Sequence, residues 1–113
     1  MIEKIVLDYL SRKLTDPVYM ETPAAVPQRY VLVEKTGSGV SDHIHSAVIA
    51  IQSISSVSLY DAASLNEEVK TAMDEIITLP AISRSELNSD YNFTNTKTKE
   101  YRYQAVYDLV YFN

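Results

Sequence analysis

Between Ser58 and Thr78 a run of apolar residues recurs at Ala62, Leu65, Val69, Ala72, Met73 and Ile76. Steps of three and four place them on one side of an α-helix, with Asp61, Glu67, Glu68, Lys70, Thr71, Asp74 and Glu75 on the other. Ser58 is a helix-start signal, Asp61 follows at capping-box spacing, and Pro80 stands just beyond the far end. A helix with one apolar stripe needs a surface to lie on, and the segments that flank this one read as strands.

An earlier helix is predicted over residues 2–14. Ile2, Ile5, Val6, Tyr9, Leu10 and Leu14 form its stripe, and Pro17 prevents its extension. Residues 18–21 read as a short edge strand and residues 22–27, with two prolines, as a stiff connector. Alternation then predicts a strand over 29–36 and a longer one over 43–54. The latter is apolar on both faces and so belongs in the middle of a sheet. Thr36 to Asp42 is expected to be the loop of that hairpin, with Gly37 and Gly39 supplying the free dihedral angles.

Past the main helix, residues 81–93 read as a polar strand, 94–98 as a polar turn, and 99–112 as a long closing strand. On that last strand Tyr101, Tyr103, Ala105, Tyr107, Leu109 and Tyr111 share one face. The stretch between residues 54 and 81 is long enough for a crossover that leaves the second and third long strands parallel. The expectation is one α+β domain over residues 1–113, with a mixed, mainly antiparallel sheet of about four to five strands and two helices packed on one face. The other face is expected to carry tyrosines, serines and charges. Either these tyrosines complete the chain's own core or an oligomer covers some of them.

The length of 113 residues fits a single domain able to bury its own core. With no cysteine, disulfides, thiol nucleophiles and thiolate metal sites are excluded. A net charge of −5, with 10 basic residues against 15 acidic and no basic run, argues against a nucleic-acid reader. No apolar run is long enough to span a membrane, and the acids within MIEKIVLDYL argue against a signal peptide.

Candidate chemistry is sparse. His43 and His45 share a strand face beside Asp42 and could hold a metal, but no further His or Cys is available as a third ligand. The GSG at 37–39 lacks the phosphate-loop pattern, and the KTG at 35–37 lacks its Ser-x-x-Lys partner. No nucleophile stands with a base, so no catalytic residue, cofactor or metal is assigned, and the chain reads as a non-enzyme. A small metal- or ligand-binding domain or enzyme around His43 and His45 is the alternative from another class.

YVLVEKTGSGVSDHIHSAVIAIQS (30–53), SLYDAASLNEEVKTAMDEI (58–76) and LNSDYNFTNTKTKEYRYQAVYDLVYF (87–112) carry a resemblance that covers nearly the whole chain. In layout and phrasing it resembles the tail-terminator, or tail-completion, proteins of long-tailed bacteriophages and prophages, also described as minor capsid or head–tail joining proteins. The resemblance implies a virion structural protein at the tail–head junction, assembled in the bacterial host cytoplasm. It implies a homo-oligomeric ring, typically a hexamer, that caps the tail tube, stops its polymerisation and meets the head connector. The implied partners are further copies, the major tail protein and a head-completion protein; DNA passes through the lumen unread, and no membrane is involved. A head-side neck protein is the nearest alternative. The expected contact residues are Thr36, Gly37, Ser38, Gly39, Val40, Ser41 and Asp42, with Tyr101, Tyr103 and Tyr107 on the closing strand and the 94–98 turn as a further contact loop.

Overall fold

The computed structural model describes residues 1–95, 97 and 100–112. The order is α1 (Ile2–Lys13), β1 (Val18–Tyr19), β2 (Arg29–Ser41), β3 (Ile44–Ser55), α2 (Leu59–Met73), a 3-10 turn (Ile76–Thr78), β4 (Ile82–Asn92) and β5 (Tyr101–Tyr111). The strands form one five-stranded sheet in the order β1-β2-β3-β5-β4; β1 is parallel to β2 and every other pairing is antiparallel. Both helices pack on one face, giving the expected α+β domain. β3 and β4 point the same way, as the crossover requires, but β5 inserts between them and pairs with both.

The start of α2 follows from its sequence. Ser58 is extended, and its hydroxyl accepts the Asp61 N–H at 3.0 Å. The Asp61 carboxylate turns back to the sheet and accepts the Ser55 hydroxyl at 2.6 Å, tying the helix start to the end of β3. The regular helix stops at Met73, earlier than the apolar pattern suggests. The chain then tightens into the 3-10 turn, which buries Ile76 completely.

The core lies between helices and sheet. Ile2, Val6, Tyr9 and Leu10 of α1 and Leu65, Val69 and Met73 of α2 meet Val31 and Val33, Ala47, Ile49 and Ile51, and Ala105, Tyr107, Leu109 and Tyr111. Tyr9 donates its hydroxyl to the Ala72 carbonyl at 2.6 Å, joining the two helices across the core.

Two expectations need correction. The Thr36–Asp42 stretch is not a loop: β2 continues to Ser41, and the turn is Asp42 and His43 alone, at φ 50° and 68°. A two-residue hairpin turn of type I′ needs positive φ at both central positions, and Asp and His are among the residues that tolerate it. Gly37 and Gly39 are extended, and neither has positive φ. The extra residue of β2 is absorbed by a bulge between Lys35 and Gly37. The tyrosine row of β5, expected on the uncovered face, lies on the helix-covered one, and of the two readings offered for these tyrosines Tyr107 and Tyr111 follow the first: they complete the chain's own core. Ala105 and Leu109 alternate with these tyrosines, so burying the small and aliphatic residues under α2 brings Tyr107 and Tyr111 with them.

Candidate functional site

Neither helix covers the other face of the sheet. Its rows can be read from the strand register. Leu32, Gln52, Gln104 and Tyr91 form one row across four strands, and Tyr30, Ile54 and Arg102 form the row beside it. Toward the β2–β3 turn come Glu34, Ala50, Val106 and Ser89, then Gly37, Val48, Asp108 and Glu86, then Gly39, Ser46, Val110 and Arg84.

The first two rows carry a continuous polar chain. Gln104 donates to the Tyr91 hydroxyl at 2.6 Å and accepts from the Gln52 amide at 3.1 Å. Arg102 donates to the Gln52 carbonyl at 2.6 Å and to Glu100 at 3.2 Å, and Glu100 accepts the Tyr30 hydroxyl at 3.0 Å. Gln52 and Gln104 are buried and have partners at both ends of their amides, so this part of the face is rigid. Tyr19 packs edge-on against Tyr30, with ring centroids 6.1 Å apart.

The remaining rows are different. Val48, Val106 and Val110 are half-buried and Ile44 is exposed, so an apolar strip lies open between the charges of Glu86, Asp108 and Arg84. A shallow cavity of about 280 Å³ opens there among Ser38, Gly39, Ser46, Val48, Asp108 and Val110. A wider cleft of about 470 Å³ lies between the helices, lined by Lys13, Glu67, Glu68 and Glu75 with Leu14 and Thr71. Its charged groups are Lys13 of α1, which lies 3.7 Å from Glu75, and the acids Glu67 and Glu68 of α2.

The expected contact residues separate in space. Thr36 to Ser41 form the distal half of β2 and are largely exposed, and Asp42 sits in the turn. Tyr101 and Tyr103 are half-buried near the start of β5; Tyr103 and Tyr60 flank a cavity of about 310 Å³ that also reaches Asn66 and Glu67. Tyr107 is only 3% exposed and sits in the chain's own core, where it has no surface to offer a neighbour. Of the 94–98 turn, Thr96 and Thr98 lie outside the described residues.

His43 and His45 do not share a strand face. His43 is in the turn, while His45 stacks on Tyr111 with ring centroids 5.4 Å apart. Among the described residues no three His, Cys, Asp or Glu side chains are grouped to hold a metal.

Sequence reasoning missed the network around Arg29. Its guanidinium pairs with Glu68 and lies 3.8 Å from both Asp16 and Asp61. One cation thus links the α1–β1 turn, the start of β2 and α2. The only signal in the sequence was a lone arginine opening a strand. Burial pushes the Asp16 carboxyl above its ordinary range, and the carboxylates of Glu68 and Asp61 push the same way, against the pull of Arg29. A raised value means that protonation of Asp16 favours the fold. That contribution is complete below the ordinary carboxyl range and is lost as pH rises through the raised value. Asp16→Asn is therefore expected to raise the thermal midpoint at pH 7, with the difference vanishing near about pH 3, below the ordinary Asp value. Melting curves at the two pH values check this.

Tyr107 has a second peculiarity. Its hydroxyl is buried and has no hydrogen-bond partner among the described residues. Burial, with Asp74, Asp90 and Glu67 nearby, holds the phenol well above its usual pKa and so keeps it protonated. An unpaired buried hydroxyl costs about 1–3 kcal/mol, so Tyr107→Phe is expected to stabilise the domain by about 1 kcal/mol. Urea denaturation checks it: a loss of stability would mean that the hydroxyl has a partner.

No protein-family model and no curated protein matches this sequence.

Proposed function

We propose that the chain is a bacteriophage or prophage virion structural protein, a tail terminator whose copies close into a ring on the head-proximal end of the tail tube. The observation that carries this reading is the half-finished sheet. One face is sealed by two helices. The other presents an apolar strip of Val48, Val106, Val110 and Ile44 beside a rigid polar network. Such a surface is what a neighbouring subunit or a tube end would cover. The resemblance of residues 30–53, 58–76 and 87–112 to tail terminators supplies the identity of the assembly. The acidic balance of the chain suits a lumen through which DNA slides without being gripped.

The test is capping. Mass in solution is measured over a wide concentration range, negative-stain images are taken of the same samples, and the protein is then added to purified tail tubes. Rings of about six subunits that stop tube growth support the terminator reading. Rings that bind head connectors and leave tubes growing point to the head-side neck protein instead. Protein that forms no ring and neither caps tubes nor binds connectors defeats both.

A further inference from the structure

The two edges of the sheet are not alike. The outer edge of β4 is interrupted by register shifts at Ile82/Arg84 and Leu87/Ser89, and it carries Arg84, Glu86 and Asp90. Bulges and charges of this kind discourage a sheet edge from pairing with another chain. The other edge is covered only at its start. β1 pairs with Val31 and Leu32, and among the described residues nothing pairs with the outer side of β2 beyond them. Past the bulge, Gly37 to Ser41 run as an unbroken strand with no charged residue and no proline, and Val40 is 68% exposed.

The register identifies the free backbone groups. The two-residue turn makes Ser41 and Ile44 a hydrogen-bonded pair, and bonding alternates from there. Gly39 and Gly37 therefore bond to β3, while Ser38 and Val40 turn their N–H and C=O groups outward. Before the bulge the outward phase falls on odd residues: the Val31 N–H bonds to the Pro17 carbonyl at 2.9 Å. The one-residue bulge moves that phase to Ser38 and Val40.

We infer that this segment pairs with the same segment of a second copy, antiparallel and centred on Gly39. A two-fold axis there sets Ser38 opposite Val40 of the other copy, and Val40 opposite Ser38. Each of the two pairs exchanges both of its hydrogen bonds, which satisfies all the outward groups of the segment. Gly37 meets Ser41, and Thr36 meets Asp42, so no like charges face each other. The pairing joins two five-stranded sheets into one of ten strands. Its contact area is small, so it forms in a concentration-dependent way. The contact is isologous and separate from the head-to-tail contact that a ring requires, so it stands or falls independently of the ring.

The chain has no cysteine, so a single introduced thiol can cross-link only one copy to another. Opposed residues of a non-hydrogen-bonded antiparallel pair lie about 4.5 Å apart at Cα, within disulfide range. A Cβ at Gly39 would come 3.2 Å from the Ser46 hydroxyl oxygen, which can rotate away. Gly39→Cys is expected to form a covalent dimer on mild oxidation, and Ser85→Cys on the β4 edge is not. Adding Val40→Pro to Gly39→Cys removes one outward N–H per copy and none that faces β3. It is expected to slow cross-linking at least about tenfold, the loss of two net hydrogen bonds per pair. Circular dichroism checks that this variant stays folded; if it does not, Ser38→Pro removes the other outward N–H in its place. Absence of a cross-link overturns the proposal. So does cross-linking that Ser85→Cys matches, or that the proline in a folded variant leaves unchanged.

Discussion

Leu65→Ala is expected to lower the unfolding free energy by about 3–4 kcal/mol, the largest effect of any single side-chain truncation proposed for this domain. Leu65 is fully buried and lies in the middle of the α2 stripe, where it joins the cluster that includes Ile49, Ile51, Ala105 and Leu109. The substitution removes apolar contact and leaves a hole. The strands β3 and β5 beneath it are each held by a hydrogen-bonded strand on both sides, which limits how far the floor can rise into the hole. A marginal domain of this size has about 5–15 kcal/mol in total, so the variant should still fold at 25 °C with a much lower urea midpoint and an unchanged m-value. A cost below about 1 kcal/mol would mean that α2 can slide to fill the gap, and would weaken the description of the sheet as its rigid floor.

Arg29→Met is the second large expectation. The arginine side chain is 28% exposed and stands among the carboxylates of Asp16, Asp61 and Glu68. Methionine keeps much of the stem packing but leaves three acids facing one another with no cation between them. Breaking a fully buried pair costs about 3–5 kcal/mol; with partial exposure the loss here is expected to be about 2–3 kcal/mol at neutral pH. The sign with pH is a sharper check than the size. Protonating Asp16, whose carboxyl burial holds above its ordinary range, removes its share of the repulsion that the variant suffers, so the deficit relative to wild type should shrink as pH falls toward about 3. Paired denaturation curves from pH 7 downward measure this. A deficit that stayed constant with pH would assign the role of Arg29 to packing alone.

The pattern of apolar residues carried most of the fold because burial is periodic. The α2 stripe, the central position of β3 and the long alternation of β5 could each be read from spacing, and Ser58 marked its helix start to the residue. The errors arose where two physical preferences compete. Two glycines near a predicted turn look like the turn itself, yet the left-handed positions fell on Asp42 and His43, while Gly37 and Gly39 continue β2 as extended residues. The tyrosines of β5 could satisfy either face, and alternation alone does not say which face is up. That choice was made by Ala105 and Leu109, which fit beneath a helix. The candidate site was less legible. The Gln52–Gln104–Arg102 chain and the Arg29 network join residues dozens of positions apart, and no local spacing signals them.

The place of β5 in the sheet has a consequence for how the protein is made. β3 and β4 emerge from the ribosome before the strand that belongs between them, so each must wait with an open flank. Until Tyr101–Tyr111 is available β4 has no strand to pair with, and α2 lacks the β5 part of its floor. Helix α1, β1 and the β2–β3 hairpin can pair early, but completion of the sheet waits on a long-range step, the insertion of β5. While that step is pending, the β3 edge that β5 will cover stands unpaired beside buried apolar residues such as Ile49 and Ile51, the kind of edge that pairs with other chains.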